Sequence, residues 1–344
     1  MFNKVLITDD VHPTLITGLT HLGYDCEYNP KIEDKEVRLI VQNYVGLIIN
    51  SKIFVNKDMI DRAPNLKFVG RLGSGLEIID LVYAAEKGLK IINSPEGNRN
   101  AVAEHAVGML LAMANNLVRA NNEVKNFDWQ REKNRGFELR EKTIGIVGFG
   151  HTGSSFAAKL LGLGMRVLIY DKYLPEGYTK HFIRRDYLIR HPASKKSDTF
   201  EGQSLATFNF EISEIEETDL ETLQREADII SFHLPLTNET KHLCNAEFIG
   251  KCKKNIYILN TSRGNVVNTY DLITGLQTKK VRGACLDVFE NEKPNTYSEQ
   301  EKEMYRLLFS FDNVIVSPHV AGWTRESKER LSAVLLEKIG NFII

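Results

Sequence analysis

The stretch GIVGFGHTGSSFAAKLLGLGMRVLIYDKY, Gly145–Tyr173, decides how the rest of the chain is read. The β-branched run before Gly148 predicts a strand, the residues from Thr152 a helix, and RVLIYD a second strand that ends on an acid. Between strand and helix, Gly148, Gly150 and Gly153, with His151 and Thr152 among them, fit G-x-G-x-x-G. In that pattern the first glycine permits a tight turn, the second lets backbone approach a pyrophosphate, and the third lets the helix pack on the strand. A helix opening there aims N–H groups and its positive dipole end at phosphate. Asp171 closes the second strand. An acid there suits the hydroxyls of an adenosine ribose and repels a 2′-phosphate, which selects NAD over NADP. The glycines alone are weak evidence; strand, helix and acid in this order make them specific.

Working outward, this unit starts only at Thr143, and the residues before it need their own reading. A chain of 344 residues is long for one domain, and two are expected. KVLIT, DCEY, GLIIN, KFVGR and KIIN read as strands, with LITGLTHLG, EVRLIVQNY, KDMIDRA and LVYAAEKG as helices between them. Such alternation implies a parallel sheet covered on both faces. NAVAEHAVGMLLAMANNLVRA, Asn100–Ala120, predicts one long buried helix that connects the domains. A second alternating series follows, with strands at TIGIVGF, RVLIYD, DIISFHL, NIYILN, VRGACLDV and NVIVSPH, and SKERLSAVLLEKIGNFI closes it as an amphipathic helix. The expected class is α/β, with two doubly wound parallel sheets. Between Asp171 and Ala227 no strand is evident, and His181–Phe208 reads as a solvated insertion, with a flap over the adenosine end of a cofactor as the alternative.

Charge narrows the partners. Lys+Arg number 44 and Asp+Glu 45, so nothing favours nucleic acid or a membrane surface. No apolar run approaches the roughly 20 residues of a membrane span, and MFNKVLITDD has no apolar signal core. Cys26, Cys244, Cys252 and Cys285 have neither Cys-x-x-Cys nor zinc spacing, so reduced thiols and a cytoplasmic protein without a metal site are expected.

A nicotinamide enzyme acting on an alcohol needs a base, an ordered nicotinamide and, for an acidic substrate, a cation. Candidates lie at ends of strands in the second series, where open α/β sheets bind ligands. Arg263 follows NIYIL, in NTSRG, and its planar fork suits a carboxylate. Asp287 ends ACLDV, with Glu292 after it. His319 ends NVIVSPH, and a histidine beside a carboxylate is a good general acid/base.

GFGHTG with Asp171, HLPLT, NTSRG, LDVFENE and SPHVAG occur in this order. Together they resemble the D-isomer-specific 2-hydroxyacid dehydrogenases, most closely the phosphoglycerate dehydrogenase-like branch. The resemblance covers nearly the whole chain, including GRLGSGLEIIDL and NAVAEHAVGMLLA. It implies a flavodoxin-like substrate domain, 1–99 plus 320–344, and a Rossmann NAD-binding domain, 100–319, with a cleft between them that closes by hinge motion. It implies that Arg263 binds the substrate carboxylate, that His319 is the acid/base and that Glu292 is its partner. Asp287 would help hold the nicotinamide end of NAD; His233, Pro235, Thr240, Thr261, Ser262, His319 and Gly322 would line the cofactor. Backbone N–H groups of Leu72, Gly73, Ser74 and Gly75 would meet the substrate carboxylate.

The implied activity is hydride transfer between nicotinamide and a D-2-hydroxyacid/2-oxoacid pair. The pair is 3-phosphoglycerate/phosphohydroxypyruvate or of the hydroxypyruvate/glyoxylate type. An NAD(H)-sensing corepressor of the same fold is the alternative. A homodimer is also implied, with the helix near Asn100 at its interface. Two departures bear on substrate. Where the branch commonly has an arginine, this chain has Asn50, with Lys52 as the nearby cation, and it stops soon after SPHVAG, so the regulatory C-terminal domain of some relatives is not expected. Trp323 is a candidate to shape the pocket or to pack at a domain interface.

Overall fold

The computed structural model describes residues 3–174 and 215–343. The expected insertion at 181–208 lies outside the described residues. The chain divides into two compact units, Met1–Val102 with Gly322–Ile344, and Ala103–Ala321.

The first unit alternates β1 (Lys4–Ile7), α1 (Pro13–His21), β2 (Asp25–Tyr28), α2 (Asp34–Ile40), β3 (Gly46–Ile49), α3 (Lys57–Asp61), β4 (Phe68–Arg71), α4 (Leu81–Glu86) and β5 (Lys90–Asn93). Its sheet has the order β2-β1-β3-β4-β5, with parallel pairing throughout. All residues of the central β3 are buried, as a strand covered on both faces requires, and its sequence is accordingly apolar without alternation. Asn56 and Asp80 start α3 and α4 by accepting the N–H of Met59 and Tyr83, which satisfies donors the helix leaves open.

α5 (Pro95–Ala114) carries the chain out of this unit. Ala103, Ala106, Leu110 and Met113 recur at helical spacing and are buried with Ile144 and Ile146. The single helix expected over Asn100–Ala120 is two. Asn116 takes a left-handed backbone, φ 52, and α6 (Leu117–Lys125) leaves at 62° to α5. Asparagine tolerates that conformation better than other side chains, so the Asn115–Asn116 pair was the break signal. Among the described residues no single helix is long and apolar enough to cross a membrane.

The second unit continues with β6 (Thr143–Val147), α7 (His151–Leu160), β7 (Arg166–Tyr170), β8 (Ile215–Glu217), α8 (Leu220–Glu226), β9 (Ile229–Phe232), α9 (Ala246–Lys251), β10 (Ile256–Asn260), α10 (Thr269–Gln277), β11 (Val281–Leu286), α11 (Glu299–Phe309) and β12 (Val314–Val316). The parallel sheet has the order β12-β11-β10-β9-β6-β7-β8. β8 and α8 lie where no element was expected before Ala227. Only Ile215 of β8 is buried, so no apolar run announces it. The strand is tied instead by Arg166, whose fork donates to both oxygens of Glu216 at 2.7 and 2.6 Å. The chain runs outward from β6 through β7 and β8, then returns to β9 on the other side of β6. The carboxyl ends of β6 and β9 therefore flank a topological switch point, where such sheets bind ligands. α12 (Arg325–Ile343) returns to the first unit, with Leu335 and Ile339 buried against Ile48 and Phe68.

Candidate active site

In the glycine turn after β6, Gly148 and Gly153 leave no room for a side chain, whereas a Cβ on Gly150 would meet nothing within 4 Å. Gly148 has φ 95, and a Cβ on Gly153 would stand 2.1 Å from the Gly148 carbonyl oxygen. Gly150 opens α7 with no side-chain cap. Asp171 braces the turn, accepting the N–H of Phe149 at 2.8 Å and that of Tyr173 at 2.9 Å. Across the switch point, His233 follows β9 and is 7% exposed. Burial pushes its pKa down to about 3, so the ring is neutral; Nε2 lies 2.8 Å from Ser231 Oγ. His233 Nδ1 and Thr261 Oγ1 are buried with no partner among the described residues. An unsatisfied buried polar group costs about 1–3 kcal/mol. Two at the carboxyl ends of neighbouring strands, beside this turn, fit a site completed by a polar ligand such as a dinucleotide. In the same loop Thr240 Oγ1 donates to the Pro235 carbonyl at 2.6 Å and so closes the turn after His233.

The NTSRG turn is organised by Asn260, which is fully buried. Its Oδ1 accepts the Ser262 N–H at 3.1 Å and the Ser262 hydroxyl at 2.8 Å, and its Nδ2 donates to the Arg263 carbonyl at 2.9 Å. The Arg263 guanidinium donates to the Ser262 carbonyl at 2.7 Å and lies close enough to Glu292 for its charge to act there.

Glu292 and His319 meet, with Oε2 and Nδ1 2.8 Å apart. Burial pushes the Glu292 carboxyl upward, but the hydrogen bond and charge of His319, the Phe289 N–H and the charge of Arg263 outweigh it and hold its pKa below the ordinary value. With Nδ1 in that bond, Nε2 is the ring nitrogen left for a proton in transit.

His319 has a left-handed backbone, φ 55, which costs a non-glycine residue about 1–2 kcal/mol. Asp287 holds it there. Its carboxylate is fully buried and accepts the Val320 N–H at 2.9 Å, the Ala321 N–H at 2.9 Å and the Ser317 hydroxyl at 2.6 Å. Its carbonyl accepts the His319 N–H at 2.7 Å. Ser317 Oγ also lies 2.9 Å from His105 Nε2 on α5. The expected role of Asp287 is at the nicotinamide; the bonds its carboxylate makes here run to the turn that carries His319. Sequence reasoning passed over Asn260, Ser317 and His105. The first two stand inside quoted motifs, as polar residues closing or following apolar strands, and that was the available signal.

In the first unit the Asn50 N–H donates to Asp9 Oδ2 at 2.8 Å. Lys52 donates to the Pro30 carbonyl at 2.7 Å and sits 4.0 Å from Asp9 Oδ1. The Leu72 N–H bonds the Ile49 carbonyl at 2.9 Å and the Gly73 N–H bonds Ser94 Oγ at 3.3 Å. Among the described residues, the N–H groups of Ser74 and Gly75 have no such partner. The Gly322 carbonyl accepts the Ser327 hydroxyl at 2.6 Å, and Trp323 is 74% exposed. No cluster of three or more His, Cys, Asp or Glu that could hold a metal is found among the described residues.

The family model for the D-isomer specific 2-hydroxyacid dehydrogenase NAD-binding domain matches residues 107–200 and 201–321. The chain belongs to the D-isomer-specific 2-hydroxyacid dehydrogenases. The family is NAD-dependent, and NAD is the cofactor that the second unit binds. A hydroxypyruvate reductase of Thermotoga maritima is 35% identical over 308 residues, covering 90% of this chain and 88% of that protein. A D-3-phosphoglycerate dehydrogenase of Methanocaldococcus jannaschii is 30% identical over 336 residues, 98% of this chain. The chain spans little more than half the length of that family member, 56%. Among solved members, the D-lactate dehydrogenase of Aquifex aeolicus, complexed with NAD and lactic acid, superposes with a TM-score of 0.75 at 26% identity. That match covers 99% of this chain and 95% of that one.

Proposed function

We propose that this dehydrogenase interconverts a small, unphosphorylated D-2-hydroxyacid and its 2-oxoacid, of the hydroxypyruvate or glyoxylate class. The observation that carries the reading is the Glu292–His319 bond of 2.8 Å, formed with the Arg263 charge close by. NAD, when bound, supplies the hydride acceptor or donor. Gly148–Gly153 and Asp171 are the residues proposed to hold its adenosine and phosphates, with His233 and Thr261 offering their unpartnered atoms. In oxidation, neutral His319 takes the hydroxyl proton at Nε2; in reduction, the imidazolium returns it to the carbonyl oxygen. Glu292, ionised, fixes the ring through Nδ1 and leaves Nε2 toward the substrate. Arg263 grips the substrate carboxylate and so turns the reacting carbon toward the nicotinamide.

Two observations support an unphosphorylated substrate. Lys52, the cation that stands near the position of the branch's usual arginine, is engaged by Pro30 and Asp9. The hydroxypyruvate reductase is 35% identical to this chain, the phosphoglycerate dehydrogenase 30%. The test is NADH consumption with hydroxypyruvate, glyoxylate, pyruvate, 2-oxoglutarate and phosphohydroxypyruvate. Hydroxypyruvate or glyoxylate should give the highest kcat/KM. A preference for phosphohydroxypyruvate overturns the substrate class, and NADH binding without turnover of any of them overturns the enzymatic reading for this panel.

A further inference from the structure

One hydrogen-bonded pair near the Glu292–His319 bond has no part in that chemistry. His242, in the loop after β9, brings Nε2 within 2.7 Å of Glu290 Oε2. The other Glu290 oxygen accepts the N–H of Thr269, at the start of α10, at 2.8 Å. The His242 backbone N–H donates to the Asn265 carbonyl at 2.7 Å, and Asn265 Nδ2 reaches the Glu290 carbonyl at 3.4 Å. This cluster therefore joins the segments that follow three neighbouring strands, β9, β10 and β11.

Those segments carry the chemistry. Arg263 precedes Asn265 on one, and Glu292 follows Glu290 on another. They abut backbone to backbone: a Cβ on Gly264 would stand 1.9 Å from the Phe289 carbonyl. The Glu292 segment is held on its far side too, since the Asn291 N–H donates to Tyr305 Oη at 3.0 Å and the Asn291 carbonyl accepts from Tyr297 Oη at 3.1 Å. His242 keeps a left-handed backbone, φ 53, which a non-glycine residue holds only where its surroundings over-determine it. The pair is partly shielded, with side chains 32% and 24% exposed. A single hydrogen bond so placed adds only about 1 kcal/mol of stability; what it supplies is registration.

We propose that Glu290 and His242 form a positioning clip that sets the Arg263 segment against the Glu292 segment, and so aligns the carboxylate grip with the acid/base pair. This rests on the function proposed above. Neither residue touches the reacting atoms in this role. A Gln at position 290 can still accept the Thr269 N–H and donate to the imidazole, whereas Ala can do neither.

The test uses the full chain with NADH and hydroxypyruvate. Glu290→Ala and His242→Ala should each lower kcat/KM by about 10-fold or more, the scale expected of misplacement rather than of a lost catalytic group. The NADH Kd should stay within about 2-fold, and Glu290→Gln should restore most of the rate. The double variant should be no worse than either single one, because both break the same contact. Amide hydrogen exchange over 263–266 and 290–293 should quicken in both alanine variants and not in Glu290→Gln. Additive losses, or a rate unchanged by Glu290→Ala, overturn the clip. If Glu290→Ala does not fold, His242→Gln and Glu290→Gln carry the comparison. If the wild-type chain turns over no substrate, the functional reading fails by itself. Exchange then decides the clip, which is refuted if neither segment responds to either alanine variant.

Discussion

His319 combines a nearly half-exposed ring with a backbone that the chain would not adopt unaided. The ring is oriented by Glu292 and the backbone by Asp287, so the two acids separate in their effects. Glu292→Gln removes the ionised partner that orients the ring. Its kcat/KM for a 2-oxoacid should fall about 10-fold or more while NADH binding survives. An unchanged rate removes Glu292 from the role. The wild-type pair has an acid limit. The Glu292 pKa is lowered in the fold, so its contribution is present above the unfolded carboxyl value and is lost as pH falls through the lowered one.

Asp287→Asn should act differently. An amide accepts at one oxygen only, leaving one of the donors at Ser317, Val320 and Ala321 without an acceptor. Stability should fall by about 1–3 kcal/mol in denaturant melts, with kcat reduced and the acid limit set by Glu292 unmoved. Arg263→Lys replaces a fork by a point charge. Its kcat/KM should fall about 100-fold while NADH binding survives; collapse of NADH binding makes Arg263 structural.

For the elements, the relevant fact is that helices and strands deliver these side chains only at their ends. α7 packs so tightly on the glycine turn that Gly153 has no room for a methyl group, the nearest atom being the Gly148 carbonyl oxygen at 2.1 Å. Gly153→Ala should push α7 off β6 and weaken NADH binding by about 10-fold or more, measured by quenching of NADH fluorescence. The Arg263 turn, by contrast, rests on the side chain of Asn260. Strands with continuous apolar runs were legible because burial on both faces writes itself into local composition. β8 was not, because one buried isoleucine and an Arg166–Glu216 fork replace the apolar run. The break between α5 and α6 was missed because a long apolar stripe outweighed two asparagines.

At the scale of the molecule, the expected homodimer is carried forward as a proposal. Phe127 is 99% exposed and Trp129 73%, with Leu117, Val118 and Val124 also exposed nearby in sequence. Monomers seldom leave such apolar surface uncovered. Sedimentation should show self-association at micromolar concentration, abolished by Phe127→Asp with Trp129→Asp; a concentration-independent monomer ends the idea.

The sequence by itself determined the α/β class, the dinucleotide turn with Asp171, and the order of the Arg263, Glu292 and His319 motifs. Each of these is a local matter of period, glycine placement or residue type. Tertiary structure alone decided that Glu292 meets His319 at Nδ1, that Asp287 is fully buried and braces the histidine turn, that Lys52 is engaged by Pro30, and that Glu290 joins three loops. Pairing and burial depend on neighbours far along the chain, such as His105 and Ser317 at 212 residues' separation. Sequence spacing does not record which polar groups the packed sheet will remove from water.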